Sequence, residues 1–252
     1  EYLPTLLGTG EERERRLALA RSLEPRIPDG YRAELRALSE AAEVPYEDLL
    51  MANCAVELVD VMQCSVAVVP PAGCREGETL FARNLDWRGG HRLAPYGLVI
   101  VARPSGGIPF VSIGYPGLVG VVTGVNARGL AVANLVTSRG LDGVSLGIPY
   151  PFLLRNLMEG CPDTDTASVL LEHAAFTVAQ NVVVADRSGG AIFECEAGGL
   201  RRRPTDPGPC VSTNAHLEDL VTSRGGRRYA RLTSACQGGG MDAGSLLAAL
   251  RA

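Results

Sequence analysis

The chain contains no lysine, and all 24 of its basic residues are arginine. Against 28 acidic residues this leaves a net charge of −4, so no basic footprint points to a nucleic-acid partner. The three histidines, His91, His173 and His216, show no HxH or HxxxH spacing, which argues against a three-histidine metal site. Seven cysteines (Cys54, Cys64, Cys74, Cys161, Cys195, Cys210 and Cys236) are an odd number without CxxC spacing. Neither a disulfide framework nor a zinc finger is supported. They read instead as small buried thiols in a reducing compartment, with the cytoplasm as the default location. No apolar run reaches membrane-spanning length, and the N-terminus lacks a charged-then-apolar signal pattern. No metal, and no cofactor, is called for.

What remains is an ordinary globular composition, 46% hydrophobic and 21% charged over 252 residues. That length fits one large domain, or one domain with a small appendage. Residues 11–63 read as helical. Glu11-Glu-Arg-Glu-Arg-Arg is a charged face, Tyr31, Leu35 and Leu38 fall at helical spacing, and Pro45 suits a first turn. At Gln63/Cys64 the texture changes to short β-branched segments separated by Gly/Pro turns: Cys64–Val69, Thr79–Arg83, Leu98–Ala102, Phe110–Gly114, Val119–Val125 and Leu130–Val136. Asn126–Gly129 reads as a tight turn, and glycines at 114, 117, 120, 124 and 129 as close-approach positions, since no GxGxxG opens a helix. Helices are expected at Pro151–Glu159 and, after Asp163 and Asp165, at Thr166–Ala175. Strands follow at Asn181–Ala185, Ala191–Glu196 and Cys210–Thr213, then helices at Arg227–Ser234 and Ala243–Leu250. Antiparallel blocks interrupted by helix pairs indicate an α+β fold with helices covering sheet faces.

Cys64 opens an apolar strand, and Arg83 and Asp86 lie on the next strand and just past it. A thiol, a fixed cation and a carboxylate joined by one hairpin suit an activated nucleophile. A Cys–His pair using His91 or His216 is the alternative, while His173 reads as a helix-face residue. Asn134 and Asn214 each end a strand-like segment. An amide there caps a turn or donates to a developing oxyanion, and the sequence leaves both open.

The run Cys64-Ser … Ala82-Arg-Asn-Leu-Asp-Trp87 resembles the signature of cysteine N-terminal nucleophile (Ntn) hydrolases, which include the choloylglycine hydrolase and acid ceramidase groups. The branch it most resembles is the autoproteolytic acyltransferases typified by isopenicillin-N acyltransferase. Three further segments fit in order: Gly117–Asn134, Asn181–Glu196, and Ser212-Thr-Asn214 followed by Arg227-Arg-Tyr-Ala-Arg231. The resemblance spans about residues 45–235. It implies a four-layer αββα sandwich over residues 64–252 with a helical propeptide, or small subunit, over 1–63. Relatives continue for further strands past the region matching Ala243–Ala252, which implies either a compact variant of the fold or a catalytic domain whose C-terminal strands are missing from this sequence. They also carry Asn-His directly where this chain has Asn214-Ala-His216.

The resemblance also implies roles. The Gln63–Cys64 bond is cut by the chain itself, and the new amine, with an unperturbed pKa near 8, serves as base for the Cys64 thiol. Asp86 holds that amine, Arg83 favours the thiolate and orients the carbonyl, Asn134 and Asn214 form the oxyanion hole, and Arg228 supports the site. Trp87 and Tyr115 are expected to touch substrate, with 87–97 and 137–150 as pocket segments. The expected partners are a small-molecule amide or acyl donor, the chain's own segment 1–63, and a second copy in a homo-oligomer. Two other readings stand beside this one: an uncut, catalytically silent binding member, and an unprocessed Cys–His hydrolase.

Overall fold

The computed structural model describes residues 7–54, 62–87, 93–137, 145–203, 208–223 and 225–251. The described N-terminal residues include the helices α1 (Gly10–Leu23), α2 (Asp29–Ala42) and α3 (Tyr46–Cys54). Tyr31 and Leu35 bury one face of α2, as their spacing requires. With Leu49, Leu50, Met51 and Cys54 of α3 they pack against Val119 and Phe152 of the body of the protein.

The helical reading of 11–63 is corrected at its end. Met62 and Gln63 belong to β1 (Met62–Val69), because Trp87 and Asp86 extend the ladder to meet them; residues 55–61 lie outside the described residues. Strand β2 (Leu80–Trp87) runs four residues past the expected end at Arg83, so Arg83 and Asp86 both sit inside it. β10 (Cys210–Thr213) pairs with the other side of β1, giving a three-stranded sheet ordered β10-β1-β2.

A second sheet runs in sequence order through β3 (Leu98–Ala102), β4 (Phe110–Gly114), β5 (Thr123–Asn126), β6 (Ala131–Val136), β7 (Gln180–Asp186), β8 (Gly189–Glu196) and β9 (Gly199–Arg202). Every pairing in both sheets is antiparallel. The turn expected at Asn126–Gly129 is present, with Gly129 at φ 93°, a left-handed conformation that glycine adopts without steric cost. Residues 119–122, expected as strand, are not in the ladder. Val119 and Gly120 donate to Asn53 Oδ1 and Val121 donates to Pro151 O, so their backbone groups are spent elsewhere. A Cβ at Gly120 would lie 2.4 Å from Pro151, and that close approach is what the glycine permits. Strand β9 was not legible, because Gly199-Leu-Arg-Arg lacks a β-branched residue.

Helices α4 (Tyr150–Gly160) and α5 (Thr164–Glu172) cross the outer face of the seven-stranded sheet. Asp163 caps α5 as expected, its carboxylate accepting from Thr166 N at 2.8 Å. Leu153, Leu154, Leu157 and Met158 pack onto Val132, Val182, Val184 and Phe193. The opposite face of that sheet presents Ala133, Leu135, Val183, Ala185 and Ile192 to Cys64, Val66 and Val68 of the smaller sheet. The far face of the smaller sheet, through Ala67, Val69 and Val211, is covered by α6 (Gly226–Cys236) and α7 (Ala243–Arg251). The layers therefore run helix, sheet, sheet, helix: an α+β, αββα sandwich. Each fully buried aliphatic side chain in these layers contributes about 1.5–3 kcal/mol. Among the described residues no helix is long and apolar enough to cross a membrane.

Candidate active site

Strand alternation decides what Cys64 can touch. Its side chain shares the inner face with Val66 and Val68 and is fully buried between the sheets. Its backbone N–H and C=O point together toward the β10 side. The last β10 pair is Thr213 with Ser65, so β10 has ended where Cys64 needs a partner. Two side chains replace the missing ladder. Asn214 Oδ1 accepts the Cys64 N–H, and Arg228 Nη1 donates to the Cys64 carbonyl at 2.8 Å.

Both side chains are oriented by further bonds. Asn214 Nδ2 donates to Val136 O at 2.7 Å, which fixes which end of the amide faces Cys64. Arg228 also donates to Ser65 Oγ at 3.2 Å and to Asn214 Oδ1 at 3.3 Å. Arg228 comes from the first turn of α6, and that helix starts hard against the turn that follows β10. A Cβ at Gly225 would lie 2.6 Å from Thr213 Oγ1, and one at Gly226 would lie 1.9 Å from Leu220 O. Only glycines let the helix begin that close.

Arg83 lies on the same face of the small sheet as Cys64, opposite Val66. It crosses the inter-sheet space. One Nη donates to Val122 O and Thr123 Oγ1; the other donates to Asn134 O at 2.6 Å and lies 3.7 Å from Cys64 Sγ. A guanidinium suits this task, since its fixed fork serves several acceptors in one plane. Tyr115 is half-buried beside this group. Burial raises its phenol above the usual value, and the positive charge of Arg83 works against that shift.

The structure brings Cys64, Arg83, Asn214 and Arg228 together, with Tyr115 close by. It places two other expected residues differently. Asp86 lies opposite Gln63 on the outer face of the hairpin, its carboxylate held by Asn84 Nδ2 at 3.1 and 3.2 Å. The Cys64 nitrogen is met instead by Asn214. Asn134 turns its side chain to the helix-covered face, where it bonds Gln180, because residue 134 alternates with Ala133 and Leu135 on the inner face. Only its carbonyl reaches Arg83.

His173 Nδ1 bonds Val169 O at 2.8 Å on the exposed face at the end of α5, and His216 Nδ1 pairs with Glu196 at 3.0 Å. Neither bond involves Cys64. His91, the Trp87 side chain, and residues 88–92 and 138–144 of the two expected pocket segments lie outside the described residues. Among the described residues no group of three potential metal ligands is assembled. A groove of about 550 Å³ lined by Ile148, Leu153, Val169, Leu170 and His173 lies among α4 and α5, beyond the large sheet from Cys64.

Sequence reasoning missed Thr123, which receives Arg83, and Gly225, which sets the reach of Arg228. It also passed over Asn181, Glu194 and Arg203, which hold the backbone around Asn214. Asn181 and Glu194 did carry a signal: each is a polar residue in an otherwise apolar β-strand.

Sandwich and site together define an Ntn-hydrolase fold with a cysteine at the head of the small sheet. Residues 74–234 match the family described as acyl-coenzyme A:6-aminopenicillanic acid acyl-transferase, and the chain belongs to that family. The match begins after Cys64 and includes Arg83, Asn214 and Arg228. The chain is 27% identical over 143 residues to protein dcd1B of Dictyostelium discoideum, covering 56% of this chain and 28% of that one. It is 22% identical over 226 residues to an uncharacterized protein of Archaeoglobus fulgidus, covering 78% and 36%. It thus spans about a third of the length of these curated relatives. Among solved structures it resembles the Caenorhabditis elegans ortholog of N-acylethanolamine-hydrolyzing acid amidase. There the TM-score is 0.62 and the identity 16%, over 75% of this chain and 86% of that one.

Proposed function

We propose that the chain is a self-processing cysteine amidohydrolase or N-acyltransferase acting on a non-peptide amide. The observation that carries this reading is that all three reactive parts of Cys64 are faced by polar side chains. Asn214 meets its nitrogen, Arg228 its carbonyl and Arg83 its sulfur.

In the first reaction the Cys64 sulfur attacks the Gln63 carbonyl carbon. A C–S bond forms, the C–N bond breaks, and the nitrogen takes the proton. Water then hydrolyses the thioester, leaving a Gln63 carboxylate and a free Cys64 amine. In the second reaction that amine accepts the thiol proton and the sulfur attacks the substrate amide. The tetrahedral oxyanion collapses with loss of the leaving amine, which receives the proton. Water or a second amine then releases the acyl group from sulfur. Water as acceptor makes the protein a hydrolase, and an amine makes it a transferase.

Arg83 holds the inter-sheet groups rigid beside the sulfur and supplies a positive charge near it. Asn214 has one N–H not spent on Val136 O, so it can serve both the nitrogen and a developing oxyanion. Asp86, next to the Gln63 position, is left to steady the amine once the chain end is free. Asn134 contributes through its carbonyl on Arg83. Tyr115 and Trp87 are the proposed substrate contacts, residues 1–63 the retained small subunit, and a homo-oligomer the proposed assembly.

Intact mass and N-terminal sequencing test the first step. The expected result is two chains, residues 1–63 and 64–252, with Cys64→Ala leaving one uncut and inactive chain. Cutting that persisted in Cys64→Ala would sink the proposal. A wild-type chain that stayed whole and did not react at Cys64 with a thiol-directed probe would favour a silent binding member.

A further inference from the structure

Three polar side chains that the proposed chemistry does not use are buried behind Asn214. Asn181 on β7, Glu194 on β8 and Arg203 just past β9 are 0%, 3% and 4% exposed. All three belong to the large sheet or its end, and all bond to the segment that carries Asn214. Asn181 Nδ2 donates to Thr213 O at 3.0 Å and Ala215 O at 2.8 Å. Arg203 Nη2 donates to the same Ala215 O at 2.9 Å, and Nη1 to Val211 O at 3.1 Å. Glu194 Oε1 accepts from Leu217 N at 2.5 Å and from Arg203 Nε at 2.6 Å.

The backbone is therefore gripped on both sides of Asn214, at 213 before it and at 215 and 217 after it. The turn is itself tight, Ala215 N donating to Thr213 O at 2.8 Å. With its backbone so held, the Asn214 side chain reaches from Val136 O to the Cys64 nitrogen, with Arg228 donating to the same Oδ1.

Apolar residues would fill this space at lower cost. A buried ion pair recovers its desolvation only when its remaining hydrogen bonds are made. Asn181 additionally leaves its Oδ1 buried without a partner, a cost an isosteric leucine would not carry. What the polar trio supplies, and leucine cannot, is direction: donors and an acceptor aimed at named backbone atoms of one turn.

We propose that Asn181, Glu194 and Arg203 are positioning residues that fix the turn 213–217, so that Asn214 Oδ1 meets the nitrogen of Cys64. The consequence for turnover rests on the function proposed above, but the geometry itself is testable in the uncut chain.

The test is amide hydrogen exchange at position 64, read by NMR in a Cys64→Ala background that keeps the chain whole. Adding Asn181→Leu should speed exchange at position 64 about tenfold, as expected for the loss of one hydrogen bond. Val68, paired with Cys210 farther along β10, should be unchanged, whereas Ser212 is itself a partner of Asn181. Asn214→Ala should reproduce the same pattern as a positive control. Arg203→Met serves if Asn181→Leu fails to fold, with circular dichroism and melting as the check. Unchanged exchange at position 64, or equal acceleration at 64 and 68, would overturn the proposal. Failure of the function reading shows separately, as a wild-type chain that is never cut, and leaves this measurement intact.

Discussion

Arg228 Nη1 donates to the carbonyl oxygen of Cys64 at 2.8 Å, from a helix that begins against the turn following β10. This contact joins the outermost layer of the sandwich to the residue at the head of the central strand. It also means that whatever moves the start of α6 moves a charge at Cys64.

Gly225→Val should therefore act at a distance. The new side chain would collide with Thr213, whose Oγ1 lies 2.6 Å from the position of a Cβ. The expected outcome is a stability loss of about 1–3 kcal/mol together with slowed self-cutting. Urea unfolding and a time course by mass spectrometry read the two effects, and cutting at the wild-type rate would contradict the close-approach argument.

Arg83→Lys keeps the charge but not the fork. One ammonium cannot serve Val122 O, Thr123 Oγ1 and Asn134 O together while staying near Cys64 Sγ. Each group left unpaired costs about 1–3 kcal/mol, so the melting temperature should fall and processing should slow at least tenfold. A fully active, equally stable lysine variant would show that charge alone suffices.

Once the proposed cut is made, residues 1–63 should stay attached. Asn53 is fully buried, accepts from Val119 N at 2.9 Å and donates to Gly117 O at 2.8 Å. Tyr31 bonds Asn156 at 2.9 Å, and Arg155 reaches Glu34 at 2.7 Å. Size-exclusion chromatography of processed protein should give one peak containing both chains. Asn53→Leu should weaken the association by about 1–3 kcal/mol, through the unpaired Val119 N–H.

Acid should attack the structure through Glu194. Burial pushes its carboxyl up, but Arg203, the Leu217 N–H and Arg201 outweigh that and hold it below its ordinary value of 4.5. A folded pKa below the unfolded one gives stability that is full above about pH 4.5 and lost as pH falls toward the folded value. Glu194→Gln should lower the neutral-pH melting temperature, because Arg203 loses its counter-charge. It should also flatten the decline below pH 4.5, and an unchanged acid slope would place the titration elsewhere.

The parts of the fold that could be read in the sequence are those where pattern and burial coincide. The inner faces of β1, β6 and β7 carry small or aliphatic residues at Cys64, Val66, Val68, Ala133, Leu135, Val183 and Ala185, and α2 shows its Tyr31–Leu35 face directly. Residues 119–122 look like strand because they are apolar, yet Asn53 and Pro151 take their backbone bonds from far along the chain. Strand β9 exists because β8 turns back on it; its own residues give no such signal. At the site, Cys64 and Arg83 were legible as a thiol and a cation on adjacent strands, one hairpin apart. Asn134 was not, because a single-residue alternation turns its amide away from Cys64 and presents its carbonyl instead.

The sequence by itself determined the α+β class, the passage from a helical N-terminal stretch to a region rich in strands, and the set of residues eligible for the chemistry. These follow from local periodicity and from polar groups set in apolar strands, which are properties of neighbouring residues. Only the tertiary structure decided which of those residues meet. Asn214 and Arg228 face Cys64 because β10 ends one residue short of it, and the backbone N–H and C=O left open there must be satisfied. That requirement arises between strands about 150 residues apart in the chain, where no local pattern can express it.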